Sequence, residues 1–219
     1  MPLKALLFDL DGTLVDSAPD LAASANELLA RRGREALPLA ALRPHGGSGA
    51  RGMLGAAFGI RPGDEGYEAL KQELLDHYAT RLLALTLPFA GVPLLLAGLG
   101  ERGLRWGIVT NKAGRYAAPL VQGLQLNPSG GCLVAGDSTP HSKPHPAPLL
   151  EAARRLGVEP SACAYVGDDH RDMLAARAAG MPGWAATWGY LGTAAHPAEW
   201  GADCLLADPI SVLNQLEVA

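Results

Sequence analysis

Leu3-Lys4-Ala5-Leu6-Leu7-Phe8-Asp9-Leu10-Asp11-Gly12-Thr13-Leu14-Val15 is the stretch that decides the fold. The apolar run over 3–8 stops at a carboxylate and reads as a buried strand. Asp11, Gly12 and Thr13 read as the loop that follows. Two carboxylates two residues apart, just past a strand, can face the same space. One can attack while the other moves protons, and a carboxylate that becomes an aspartyl-phosphate is established enzyme chemistry. Crowded like charges raise one pKa, which lets the second carboxyl serve as an acid near neutrality. An Asp-Gly turn explains the same letters without chemistry, and on this stretch alone the two readings stand level. An EF-hand loop is excluded, because Gly12 falls at the fourth position rather than the sixth.

Downstream, Asp16 and Ser17 precede Pro19, the chemistry of a helix cap and first turn. Residues 19–32 are predicted helical, with Leu21, Ala25, Leu28 and Leu29 on one side and Gly33 as the stop. Segments 39–43, 50–58 and 65–85 also read as helices, and no strand is expected between Asp16 and Leu87. A helical block of about 70 residues therefore interrupts a different pattern. From Phe89 onward, predicted strands (104–109, 132–135, 162–166, 184–187, 204–206) alternate with predicted helices (93–102, 114–124, 146–156, 171–179, 209–216). That alternation implies an α/β fold with a doubly wound parallel sheet. The expected division is a core of residues 1–16 and 87–219 around a helical insert of residues 17–86. Polar residues gather just past strand ends, at Asp9, Thr110 and Asp168, the edge where open parallel sheets bind ligands.

The 219 residues are 48% hydrophobic and 18% charged, a globular composition able to bury a core. The net charge of -4 and pI near 5.8 argue against nucleic-acid binding led by phosphate contacts. No apolar run nears the roughly 18 residues of a membrane span, and the N-terminal run is too short for a signal-peptide core. Cys132, Cys163 and Cys204 are odd in number and form no Cys-x-x-Cys, so reduced thiols and a cytoplasmic location are expected. A monomer and a dimer are equally compatible with this sequence. Lysine is scarce: Lys4, Lys71, Lys112 and Lys143 are the full set.

Two further strand ends carry chemistry. In Ile108-Val109-Thr110-Asn111 a hydroxyl and the next backbone N–H can hold phosphate oxygens. In Ser142-Lys143-Pro144-His145-Pro146 a scarce lysine held by prolines can neutralise a phosphoryl group and a carboxylate. Val166-Gly167-Asp168-Asp169-His170-Arg171-Asp172 then supplies hard oxygen ligands suited to Mg²⁺.

In this order, Asp-x-Asp-Gly-Thr, strand-end Thr-Asn, Lys-Pro-x-Pro and Gly-Asp-x-x-x-Asp resemble the four motifs of the haloacid dehalogenase superfamily, from Phe8 to Gly180. The resemblance implies a Rossmann-type core with a small inserted helical cap domain. Within the superfamily the chain is most similar to bacterial phosphoglycolate phosphatases. Its tail (Trp188-Gly189-Tyr190, Trp200-Gly201-Ala202-Asp203) and its loop Gly46-Gly47-Ser48-Gly49-Ala50-Arg51 also resemble N-acetylmuramic acid 6-phosphate phosphatases. The implied roles are Asp9 as nucleophile, Asp11 as acid and base, Thr110 and the Asn111 backbone as phosphoryl ligands, and Lys143 as charge stabiliser. Mg²⁺ would sit on Asp9, the Asp11 carbonyl and Asp168, with Asp169 supporting the metal and Asp172 orienting Lys143. The expected partner is a small phosphorylated metabolite, with no nucleic acid and no membrane. Dehalogenases dispense with the second aspartate and the metal, so Asp11 favours phosphate ester hydrolysis. Phosphosugar mutases share the motifs, and a catalytically dead ligand-binding relative would share the fold.

Gly47-Ser48-Gly49-Ala50-Arg51-Gly52 matches a dinucleotide fingerprint, yet it follows a predicted helix where that site needs a strand. Two readings remain for it: a cap loop bringing Gly49 and Arg51 to the substrate's non-reacting end, or a flexible connection. Arg43 reads as a solvated helix end sooner than as a substrate contact, and His45 as a candidate substrate contact in the same loop. Lys112 is either a substrate contact or an exposed helix-start lysine. His141 and His145 are not on a helix face, which disfavours zinc. His170 reads as a surface residue, Cys163 as core, and Trp188, Tyr190 and Trp200 as packing aromatics. Hinges for cap movement are expected near 16–17 and 87–91.

Overall fold

The computed structural model describes residues 2–192 and 196–217; the ends of the expected core range, and 193–195 within its tail, lie outside these. Strand β1 (Ala5–Phe8) is fully buried and central. It pairs in parallel with β4 (Arg105–Val109) on one side and β6 (Cys163–Gly167) on the other. Beyond β4 lies β5 (Leu133–Val134); beyond β6 lie β7 (Gly183–Ala186) and β8 (Cys204–Leu206). The six strands run β5-β4-β1-β6-β7-β8, all parallel. The chain winds outward from β1 in both directions, so the sheet is doubly wound and its crevice opens past the ends of β1, β4 and β6.

Although β1 is uniformly apolar, its side chains divide by the two-residue period of a strand. Leu6 and Phe8 join Trp106, Ile108, Val92, Leu95 and Leu99 on one face. Ala5 and Leu7 join Val109, Leu149, Leu156 and Tyr165 on the other. Helices α5 (Val92–Glu101), α6 (Gly114–Gly123) and α9 (Ser211–Leu216) cover the first face. Helices α7 (Ala147–Leu156) and α8 (His170–Ala178) cover the second. No described helix is long and apolar enough to cross a membrane.

Between β1 and α5 the chain forms α1 (Ala18–Ala30), α2 (Leu39–Leu42), α3 (Gly49–Phe58) and α4 (Tyr67–Ala79). These share a separate apolar cluster, including Leu28, Met53, Leu54, Leu74 and Tyr78, with Tyr116 of α6 packed against it. Two departures from the sequence reading occur here. First, Val15–Asp16 (β2) and Leu87–Pro88 (β3) pair antiparallel where the chain enters and leaves the helices; a two-residue strand offers no period to read. Second, α4 stops at Ala79 rather than running to 85. Buried Asp20 of α1 accepts from Leu85 N, Thr86 N and Thr86 Oγ1, each at 2.8 Å, and pairs with Arg81 at 3.3 Å. That one carboxylate captures the backbone N–H groups that a longer helix would have used.

Candidate active site

The ends of β1, β4 and β6 bring the residues singled out in the sequence to one place. Asp9 caps β1 and accepts from Leu10 N at 2.7 Å. Gly12 follows with φ +84, and a Cβ there would lie 2.1 Å from Asp168 Oδ2, so the loop can close over Asp168 only with glycine. Thr110, at the end of β4, is buried, and its hydroxyl accepts from Lys112 N at 3.2 Å. The Asn111 side chain grips the Lys143 backbone from both sides: Asn111 Nδ2 donates to Lys143 O, and Lys143 N donates to Asn111 Oδ1, each at 2.9 Å. Only the Asn111 backbone is therefore free to meet a ligand.

Lys143 is 4% exposed. Its Nζ lies 3.0 Å from Asp9 and 2.7 Å from Asp172, and donates to Tyr165 OH at 2.7 Å and Val109 O at 3.1 Å. Burial favours the neutral amine, but Asp172 and Asp9 outweigh it and hold the ammonium charged. Burial, reinforced by Asp172 and Asp11 against the pull of Lys143, pushes the Asp9 carboxyl up to about 6. Asp168 accepts from Thr13 Oγ1 at 3.0 Å and Tyr190 N at 2.7 Å, yet burial and then Asp9 and Asp172 drive its pKa well above the usual carboxylate range. Asp169 caps α8, and Asp172 completes the capping box by accepting from Asp169 N at 3.1 Å. For Asp169 burial acts upward, but Arg171 at 2.8 Å overrides it and the carboxyl is held down.

Lys112, one of the residues left with two readings, is not an exposed helix-start lysine. Its side chain is 8% exposed and its Nζ lies 3.1 Å from both oxygens of Asp11. It also sits 4.8 Å from the ring centroid of Tyr78 on α4, so it is wedged between the second carboxylate and the helical insert. Ser17 Oγ donates to the same carboxylate. Arg43 does stand at the end of α2 with its side chain 39% exposed, but it also meets Asp16 with two hydrogen bonds, at 2.9 and 2.5 Å. His141 and His145 stack on each other at 4.3 Å, while Cys132 is turned toward Ala152 O, so the three do not form a metal site.

A cation fits this cluster. One oxygen each of Asp9, Asp168 and Asp172 lie within 4.8 Å of one another. Counted as charged, four carboxylates (Asp9, Asp11, Asp168, Asp172) face two ammonium groups (Lys112, Lys143), a formal surplus of two negative charges that itself helps to raise the Asp9 and Asp168 carboxyls. One divalent ion neutralises that surplus, and an all-oxygen donor set selects a hard cation. Asp172 already serves Lys143, Tyr165 and Asp169 N, so Asp9 and Asp168 are the freer ligands.

Above the cluster lies a cleft of about 530 Å³ between the helices and the sheet edge. Arg51 of α3 and Arg115 of α6 both line it, and neither has a carboxylate partner among the described residues. Gly49 lines it as well, with φ +55 at the start of α3; His45 does not. A 3₁₀ turn (Arg43–Ser48), not a strand, leads into that helix, which removes the dinucleotide reading.

Residues 6–186 match the family described as haloacid dehalogenase-like hydrolase. The chain is 41% identical over 219 residues to an N-acetylmuramic acid 6-phosphate phosphatase of Pseudomonas aeruginosa, covering 100% of this chain and 97% of that one. It is 46% identical over 206 residues to a phosphoglycolate phosphatase of Xanthomonas campestris pv. campestris, covering 94% and 93%. A crystal structure described as a predicted phosphoglycolate phosphatase from Haemophilus somnus superposes with a TM-score of 0.84 at 27% identity, covering 97% of each chain.

Proposed function

The chain belongs to the haloacid dehalogenase-like hydrolases, and from that premise we propose that it is a Mg²⁺-dependent phosphomonoesterase working through an aspartyl-phosphate on Asp9. The observation that carries this reading is the convergence of Asp9, Asp168, Asp172 and Lys143 at the strand ends, with Asp9 3.0 Å from Lys143. Asp9 Oδ attacks phosphorus in line as the ester P–O bond breaks, and Asp11 delivers a proton to the leaving oxygen. Asp11 then takes a proton from water, whose oxygen attacks the acyl-phosphate, freeing phosphate and restoring Asp9. Thr110 and the Asn111 backbone hold the phosphoryl oxygens. Lys143, oriented by Asp172, stays charged beside the transferred group. Asp9, the Asp11 carbonyl and Asp168, with Asp169 in support, would hold Mg²⁺, which when bound would supply the positive charge that lets a carboxylate approach a phosphate.

The substrate is a small phosphorylated metabolite that carries a second anionic group. Phosphoglycolate and N-acetylmuramic acid 6-phosphate both combine a phosphate ester with a carboxylate. Arg51 and Arg115, without a carboxylate partner among the described residues, are cations able to meet it, with the backbone around Gly49 also lining the cleft. The thiols of Cys132, Cys163 and Cys204 are free, which suits the cytoplasm. Phosphate release with Mg²⁺ from these two esters, compared as kcat/KM, tests the reading. Asp9→Asn is expected to remove turnover from a folded protein. Wild-type protein that releases no phosphate, or that only rearranges a hexose phosphate, would overturn it.

A further inference from the structure

The tail residue Tyr190 reads in the sequence as a packing aromatic. In the structure it is 4% exposed, and both its backbone N–H and its hydroxyl are engaged. Its backbone N donates to Asp168 Oδ2 at 2.7 Å. Its hydroxyl donates to Asp16 Oδ1 at 2.7 Å and accepts from Ala18 N at 2.9 Å. Asp16 lies in β2 and Ala18 begins α1, so the hydroxyl grips the chain where it enters the helices. Its ring stands 6.2 Å from that of Phe89, directly after β3, where the chain leaves them. Arg43, the partner of Asp16, places its guanidinium 5.9 Å from the same ring. The loop carrying Gly46 presses on it so closely that a Cβ at 46 would lie 2.9 Å from Tyr190 Cδ2.

One residue thus touches both connecting segments and the cleft loop through its side chain, and a carboxylate of the cation cluster through its backbone N–H. A tyrosine present only to fill the core would need one hydrogen bond to satisfy its hydroxyl. We propose that Tyr190 is a positioning residue that holds the Asp168 carboxylate and the orientation of the helical insert in one shared geometry. The inference rests on the phosphohydrolase reading above. A second clasp runs beside it: Arg171, fixed by Asp169, donates to Gly47 O at 2.9 Å. Loosening the Tyr190 hydroxyl frees the 188–190 turn that aims its N–H at Asp168. It also lowers the fraction of molecules with the insert seated, and apparent affinity falls in proportion to that fraction.

Tyr190→Phe removes the hydroxyl and keeps the ring and the N–H. The test uses the full chain, Mn²⁺ binding followed by electron paramagnetic resonance, and steady-state kinetics on p-nitrophenyl phosphate. Circular dichroism checks the fold. The expected result is Mn²⁺ affinity weakened about tenfold, as for partners that orient metal ligands. KM should rise by about fivefold or more while kcat changes less. A lower melting temperature with Mn²⁺ affinity and KM both within about twofold of wild type overturns the proposal, because that is what lost packing alone produces. If Tyr190→Phe does not fold, Asp16→Ala removes the acceptor from the other side and carries the same expectation. A wild type that binds Mn²⁺ and hydrolyses no ester sinks the phosphohydrolase reading, and the Mn²⁺ arm then decides Tyr190 alone.

Discussion

Lys112 and Lys143 divide the work of charge at the strand ends. Lys143 is locked by four partners and barely able to move, whereas Lys112 spans a carboxylate of the sheet edge and an aromatic ring of the insert. Burial alone would neutralise Lys112, but the adjacent Asp11 keeps it charged. Lys112→Met, similar in shape and uncharged, is expected to lower kcat/KM roughly 10- to 100-fold, less than the ~10²–10⁴ credited to a proton-transfer group such as Asp11. An unchanged kcat/KM would reduce Lys112 to packing. Asp9 offers a pH test. Its carboxyl is raised from 3.8 to about 6, so the folded protein binds that proton more tightly than the unfolded chain does. Without metal, stability is therefore lost as pH rises between those values. Asp9→Asn should melt several degrees above metal-free wild type at neutral pH, at roughly 2–4 °C per kcal/mol. The gain should shrink toward pH 4 and disappear when Mg²⁺ is added to both; a gain that grows on acidification would contradict the charge argument. Sequence named Asp9, Asp11 and Lys143 because each sits in a motif. The burial of Lys112 was not legible, because it depends on a carboxylate 101 positions away.

At the scale of elements, strand β1 was legible because its apolar run breaks on Asp9, and the alternation after Phe89 gave the parallel sheet. The apolar rhythm of Leu82, Leu83 and Leu85 continues past the end of α4 at Ala79, which is why the sequence predicts a longer helix. Asp20, 65 positions earlier than Leu85, instead holds the Leu85 and Thr86 N–H groups in a turn past the helix end. Asp20→Ala would strip three hydrogen bonds and an ion pair from this turn, leaving buried N–H groups unmet. We expect a loss of about 3 kcal/mol in urea unfolding, seen as a lower midpoint at constant slope. A loss below about 1 kcal/mol would mean that the turn is held by packing instead. Strands β2 and β3 escaped sequence reading for a different reason: a pair this short is defined only by its partner across the helical block.

For the molecule as a whole, the net charge of -4 takes on a location. A formal surplus of two negative charges lies at the switch point of the sheet, beside a cleft lined by Arg51 and Arg115, which have no carboxylate partner among the described residues. On the proposed reading, these anions hold a cation, and the cation with Lys143 attracts a phosphate. The central claim is that phosphate passes through Asp9. The most direct test is acid quenching of wild type during turnover of a ³²P-labelled phosphate ester with Mg²⁺, followed by peptide mapping. The account predicts acid-stable label on the peptide containing Asp9, chased away by unlabelled substrate and absent from Asp9→Asn. Wild-type protein that turns over while its label falls on another residue, or an Asp9→Asn variant that still releases phosphate, would contradict it.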